Sequence, residues 1–143
     1  MPNSEPLKKN ILPSTHLQKY VNDFLEYCEV AKNQSDNTIA AYGRYLGKFI
    51  TFALSFKIQE PKNVTLDTVN KYRLYLNRLE DSKGNRLKMV TQNYHLIALR
   101  AFLKYLIKND VETLIPEKIE LPKNPQRTVE FLEPEELNRQ FDA

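Results

Sequence analysis

The stretch Lys88–Lys108, KMVTQNYHLIALRAFLKYLIK, constrains the fold more than any other, because its two halves have different surroundings written into them. At about 100° per residue, Val90, Tyr94, Ile97, Ala98, Ala101 and Tyr105 form one apolar stripe along its whole length. The other side carries Lys88, Thr91, Gln92 and His95 in the first turns and continues as Leu99, Phe102, Leu103 and Leu106. A helix that is apolar all round is a buried one. The C-terminal half is therefore predicted to be the central helix of a bundle. The N-terminal half is predicted to leave the core, turning a polar, partly cationic face toward a partner or toward solvent. On this helix alone, plain solvation is explanation enough.

The chain of 143 residues is long enough for one well-formed core, with room for the start of a second unit. Three glycines and no tryptophan suit an all-helical protein. The single Cys28 falls on an apolar helix face, which excludes a disulfide framework and reads as a small buried hydrophobe. No apolar run approaches the roughly 20 residues of a membrane span, and the first residues do not read as a signal peptide. A soluble, cytoplasmic protein with no cofactor and no metal is expected.

Charge is unevenly spread. Residues 35–110 hold thirteen Lys or Arg against six acids, a balance of +7. The residues before them balance to zero and those after carry −4. A middle segment this positive points to a polyanion, with lysine-rich solvated faces as the competing explanation.

Residues 1–13, with three prolines and no periodicity, read as a flexible tail. Ser14 or Thr15 can cap a first helix to about Ala31, with Leu17, Tyr20, Val21, Phe24, Leu25, Cys28 and Ala31 inward. A second helix, about Asn37–Phe56, has the core stripe Ile39, Tyr42, Leu46, Phe49, Ile50 and Ala53. Almost opposite lie Asn37, Ala40, Ala41, Arg44, Lys48, Thr51 and Ser55, a small, polar, basic face without an acid. Such a face can approach a phosphate backbone closely, with Arg44 and Lys48 supplying charge. Gly43 and Gly47, four apart, predict a tight approach of another backbone, a packing helix first and DNA second. Thr65 caps a third helix to about Leu79, and EDSKGNR (80–86) is the turn before the long helix.

The bundle is predicted to end near Asp110, giving a helical unit over 14–110. Residues 111–131 carry Pro116, Pro122 and Pro125, which favour an extended linker. At 132–143 a helix starts again at Pro134, with Glu133, Glu135 and Glu136 near its positive end. It reads as a truncated first helix of a further domain.

Three pieces, in order, resemble the tyrosine recombinase (phage integrase, Xer-like) family in its N-terminal core-binding, SAM-like domain. NTIAAYGRYLGKFITFA is similar to the family's second helix through Thr38, Tyr42, Phe49 and Phe52. VTQNYHLIALRAFLKYLI is similar to the fourth through Thr91, Ala98, Leu99, Arg100 and Phe102. IELPKNPQRTVEFLEPEEL resembles the Pro-Lys linker and the opening of the catalytic domain, through Pro122, Lys123, Leu132, Glu135, Glu136 and Leu137.

The resemblance implies an all-α, four-helix SAM-like bundle, followed by an extended linker and a truncated helix of the catalytic domain. It implies half of a clamp on double-stranded DNA, with the second and fourth helices at the major groove. The DNA-binding residues expected are Asn37, Thr38, Ala41, Arg44 and Lys48, with Lys88, Thr91, Gln92, His95 and Arg100. Gln92 can pair with adenine and Lys88 with guanine. Thr91 is expected to touch phosphate or cap its own turn, and Arg100 to contact the backbone, with a structural ion pair as its alternative.

The family's nucleophilic tyrosine and its assisting arginines, lysine and histidines belong to the catalytic domain. None of the eight tyrosines here matches that nucleophile, and two histidines are too sparse for a triad or a metal site. This stretch is expected to bind DNA without cleaving it, as part of a recombinase that acts with other protomers. Two other classes compete: a helix-turn-helix regulator, for which the connections are too long, and a helical protein-interaction module that binds no nucleic acid.

Overall fold

In a computed structural model the described residues are 15–121. They form four α-helices: α1 (His16–Val30), α2 (Asp36–Ser55), α3 (Leu66–Arg78) and α4 (Met89–Lys108). Short 3-10 turns at Pro61–Asn63 and Pro116–Lys118 complete the order, and the described residues contain no strand beyond one isolated bridge, Glu80 to Arg86. The fold is all-α.

Side-chain caps start three of the helices. Thr15 accepts a hydrogen bond from the Gln18 amide, and Ser35 from the Thr38 amide. Thr65 and Thr68 form a reciprocal capping box on α3. Between α3 and α4, one Asp81 carboxylate oxygen accepts from the amides of Lys83 (2.8 Å) and Asn85 (2.9 Å). These bonds hold the Asp81 carboxyl below its ordinary range. Gly84 closes this turn at φ 83, a backbone region that glycine enters without a Cβ clash. The turn fixes where α4 begins, with Lys88 at its N-cap.

One core joins all four helices. Leu17, Val21, Phe24 and Cys28 from α1 meet Leu46, Phe49, Ile50 and Ala53 from α2, Val69, Tyr72 and Leu76 from α3, and Leu99, Phe102, Leu103 and Leu106 from α4. Phe49 and Phe52 each lie 5.1 Å from the fully buried Tyr72 ring.

The phase of α4 differs from the expected one. Val90, Tyr94 and Ile97, expected to be core, are 38%, 50% and 39% exposed. Gln92 and His95, expected on the free face, are 9% and 6% exposed. The cause lies in the C-terminal half, where Leu99, Phe102, Leu103 and Leu106 face the other three helices. A straight helix keeps the same face inward, so one and two turns earlier that face is His95 and Gln92. Of the expected stripe, Ala98 is buried and Ala101 and Tyr105 are half-buried.

Two further expectations change. A Cβ at Gly47 would meet nothing within 4 Å, and one at Gly43 would meet only Leu25 Cδ1 at an ordinary 3.6 Å. No neighbouring backbone within the described residues explains these glycines. The connector, expected to be extended from 111, is packed against the bundle as far as Leu121. Pro116 and Ile119 are buried, and Thr113 Oγ1 donates to the Pro61 carbonyl at 2.9 Å. The rest of the expected linker, the truncated helix and the N-terminal tail lie outside the described residues.

Candidate nucleic-acid interface

The polar side of α2 reaches the surface. Asn37, Ala40, Arg44, Thr51 and Ser55 are exposed; Ala41 and Lys48 are half-buried, Lys48 more than expected. Neither Arg44 nor Lys48 forms an ion pair within the described residues, where the four ion pairs all lie elsewhere. Thr38 is half-buried and serves the α2 cap, its hydroxyl accepting from Ser35 Oγ at 3.0 Å.

Tyr45, which the sequence did not single out, joins this face to α4. Its ring centroid lies 4.4 Å from that of His95, and the Arg44 guanidinium sits 5.8 Å from the Tyr45 centroid, within cation–π range. His95 Nδ1 lies 2.9 Å from the Thr91 carbonyl oxygen. A carbonyl can only accept, so Nδ1 carries the proton and Nε2 is left as the acceptor of the neutral ring. Burial pushes the imidazole below its ordinary range; the Thr91 carbonyl opposes this, and the charge of nearby Lys48 adds to it. A neutral His95 puts no like charge beside Lys48.

Arg44, Lys48, Thr91 and His95 are thus brought together at the α2–α4 crossing, with Tyr45 at its centre. Its chemistry suits an anion: two cations with no carboxylate holding them, on a helix face of small side chains. The position of Tyr45 between Arg44 and Lys48 is the sequence signal that could have found it.

Two of the expected residues are held elsewhere. Gln92 Nε2 donates to the Leu87 carbonyl (3.1 Å) and toward Asn77 Oδ1 (3.4 Å), tying the start of α4 to the end of α3. Its amide N–H groups are spent inside the protein, so the physical reason for expecting a base contact no longer holds. Arg100 is half-buried, and its Nε donates to the Pro116 carbonyl at 3.3 Å. It anchors the connector, a structural contact in place of the expected one to the DNA backbone and different from the ion pair that was its alternative. Lys88 is exposed at the N-cap of α4. Among the described residues no helix is long and apolar enough to cross a membrane.

An all-α bundle of four helices is the fold of a SAM-like integrase domain. Residues 21–110 match the family described as "Phage integrase, N-terminal SAM-like domain", and the chain belongs to that family. Among similar proteins is the tyrosine recombinase XerC of Anoxybacillus flavithermus, 31% identical over 122 residues, which cover 85% of this chain and 39% of the relative. XerC of Bacillus pumilus is 30% identical over 131 residues, covering 89% and 40%. XerD of Oceanobacillus iheyensis is 25% identical over 126 residues, covering 86% and 40%. The chain thus spans about two fifths of the length of these curated relatives. The solved N-terminal domain of a phage integrase/site-specific recombinase from Haloarcula marismortui superposes with a TM-score of 0.63 at 21% identity, covering 78% of this chain and all of that one. That likeness is one of fold.

Proposed function

We propose that this domain binds double-stranded DNA, gripping it through the major groove as the N-terminal half of a tyrosine recombinase's clamp. The observation that carries the reading is the Arg44–Tyr45–His95 cluster at the α2–α4 crossing, with Lys48 near His95 and neither cation in an ion pair among the described residues. The helix itself lends support, since Asn37, Ala40 and Ala41 leave room for a phosphate backbone. Lys88, exposed where α4 starts, and Thr91, half-buried one turn into it, extend the surface from that helix.

The relatives are named tyrosine recombinases, and the parent protein is proposed to break and rejoin DNA strands with other protomers in the cytoplasm. Its nucleophilic tyrosine and catalytic cluster are assigned to a domain beyond these residues, which themselves cleave nothing. A protein-interaction role is the second reading, favoured by one observation: the exposed apolar run Val90, Tyr94, Ile97 on α4.

Duplex binding at two salt concentrations separates the two. A domain contacting several phosphates loses affinity steeply with added salt, whereas a protein-interaction module without a DNA site gives no saturable duplex binding at either concentration.

A further inference from the structure

At the end of the bundle formed by the C-termini of α1 and α4 lies a cavity of about 380 Å³ that duplex binding at the α2–α4 crossing does not use. We propose that it takes a nucleoside monophosphate unit, a planar base carrying a phosphate, either as free nucleotide or swung out of a DNA strand. Its volume falls within the range of small-molecule sites, roughly 300–1,000 Å³.

Three features define the ligand. One wall is aromatic: the Tyr27 and Tyr105 rings lie 5.0 Å apart, tilted by 42°. Aromatic faces accept any nucleobase by stacking. The rim is cationic, with Lys32 after α1 and Lys104 and Lys108 one turn apart on α4. None of the three forms an ion pair within the described residues. Lys108 is held in place, its Nζ donating to Tyr27 Oη at 3.3 Å and lying 5.6 Å from that ring's centroid.

The third feature is an acceptor. Gln34 also lines the cavity, and its Oε1, buried, receives no hydrogen bond. A buried acceptor without a donor is costly, and the exocyclic amine of a base would supply one. Phosphate alone would answer the lysines but neither the rings nor Gln34. Asp23 and Glu26 reach Tyr105 electrostatically but do not line the cavity, and Asp23 is held by Lys19 at 3.2 Å.

The test is a nitrogen-15 amide titration of the whole chain with deoxyadenosine monophosphate, inorganic phosphate, a short single strand and a blunt duplex. The nucleotide should shift Gln34 and residues 101–108 saturably and leave Arg44 and Lys48 unmoved, with phosphate producing much smaller shifts. Lys104→Gln with Lys108→Gln should weaken the nucleotide about tenfold, and Gln34→Leu should also weaken it; thermal melts check that each variant folds. Displacement of the nucleotide by the single strand but not the duplex would mark the strand as its source. Displacement by neither would mark free nucleotide. The proposal is overturned if there is no saturable shift up to about 10 mM nucleotide, if phosphate alone gives equal shifts, if the lysine variant binds unchanged, or if the duplex displaces the nucleotide as well as the single strand does. Duplex binding is read separately, at α2, so either reading can fail while the other stands.

Discussion

The imidazole of His95 and the phenol ring of Tyr45 meet at 4.4 Å, joining α4 to the basic face of α2. Because burial is the first cause of the lowered His95 pKa, this contact is also sensitive to pH. The unfolded histidine titrates near about 6.5, and the folded one lower. The stability from neutral His95 is therefore complete above about pH 6.5 and is lost as pH falls through the folded value. Wild type should lose stability relative to His95→Phe as pH drops from about 7 to 5, measured by denaturant unfolding at each pH. A constant difference across that range would show that His95 is not buried against α2.

Gln92→Ala should act on folding and leave recognition alone. Losing its bonds to Leu87 and Asn77 should cost about 1–3 kcal/mol, seen as a lower unfolding midpoint. The ratio of affinities for cognate and scrambled duplexes should stay unchanged. A lower ratio at unchanged stability would return Gln92 to the DNA.

The helices could be read from the sequence because their signals are local. Thr15 and Thr65 are side-chain caps, and the α1 and α2 stripes each have one polar side. The direction in which α4 faces could not. Its C-terminal half is apolar on every side, so a stripe through Val90, Tyr94 and Ile97 fits the periodicity as well as one through His95 and Leu99. Which one turns inward is decided by where α2 and α3 lie, as Tyr45 and Asn77 show by receiving His95 and Gln92. The same limit applies to the connector. Pro116 argued correctly against a long helix, but nothing local says that Ile119 packs on the bundle. Of the candidate site, Arg44 and Lys48 were legible as a basic stripe, while Tyr45 matters only through a residue 50 positions away in the chain.

Gly47→Ala tests a position where the helix gives up stability with no packing reason. With open space around it, a methyl group there should raise stability by about 1 kcal/mol, read from thermal or denaturant unfolding. Duplex affinity measured on the same variant shows whether the bare backbone serves DNA: unchanged affinity is expected, because Gly47 is not part of the crossing.

Arg100→Met keeps the length of the side chain and removes its bond to Pro116. Amides near Ile119 should exchange faster with solvent, with global stability lowered by about 0.5–1.5 kcal/mol. Duplex affinity should not fall. A fall in affinity at unchanged exchange rates would make Arg100 a DNA contact.

The most direct test of the central claim is the salt dependence of duplex binding by Arg44→Ala, Lys48→Ala and the double variant. Each lost phosphate contact should lower the slope of log affinity against log salt by about 0.9, so the double variant should lose nearly two units while cognate and scrambled duplexes weaken alike. Unchanged affinity and slope in a folded double variant would contradict the account and remove the α2–α4 crossing from the DNA.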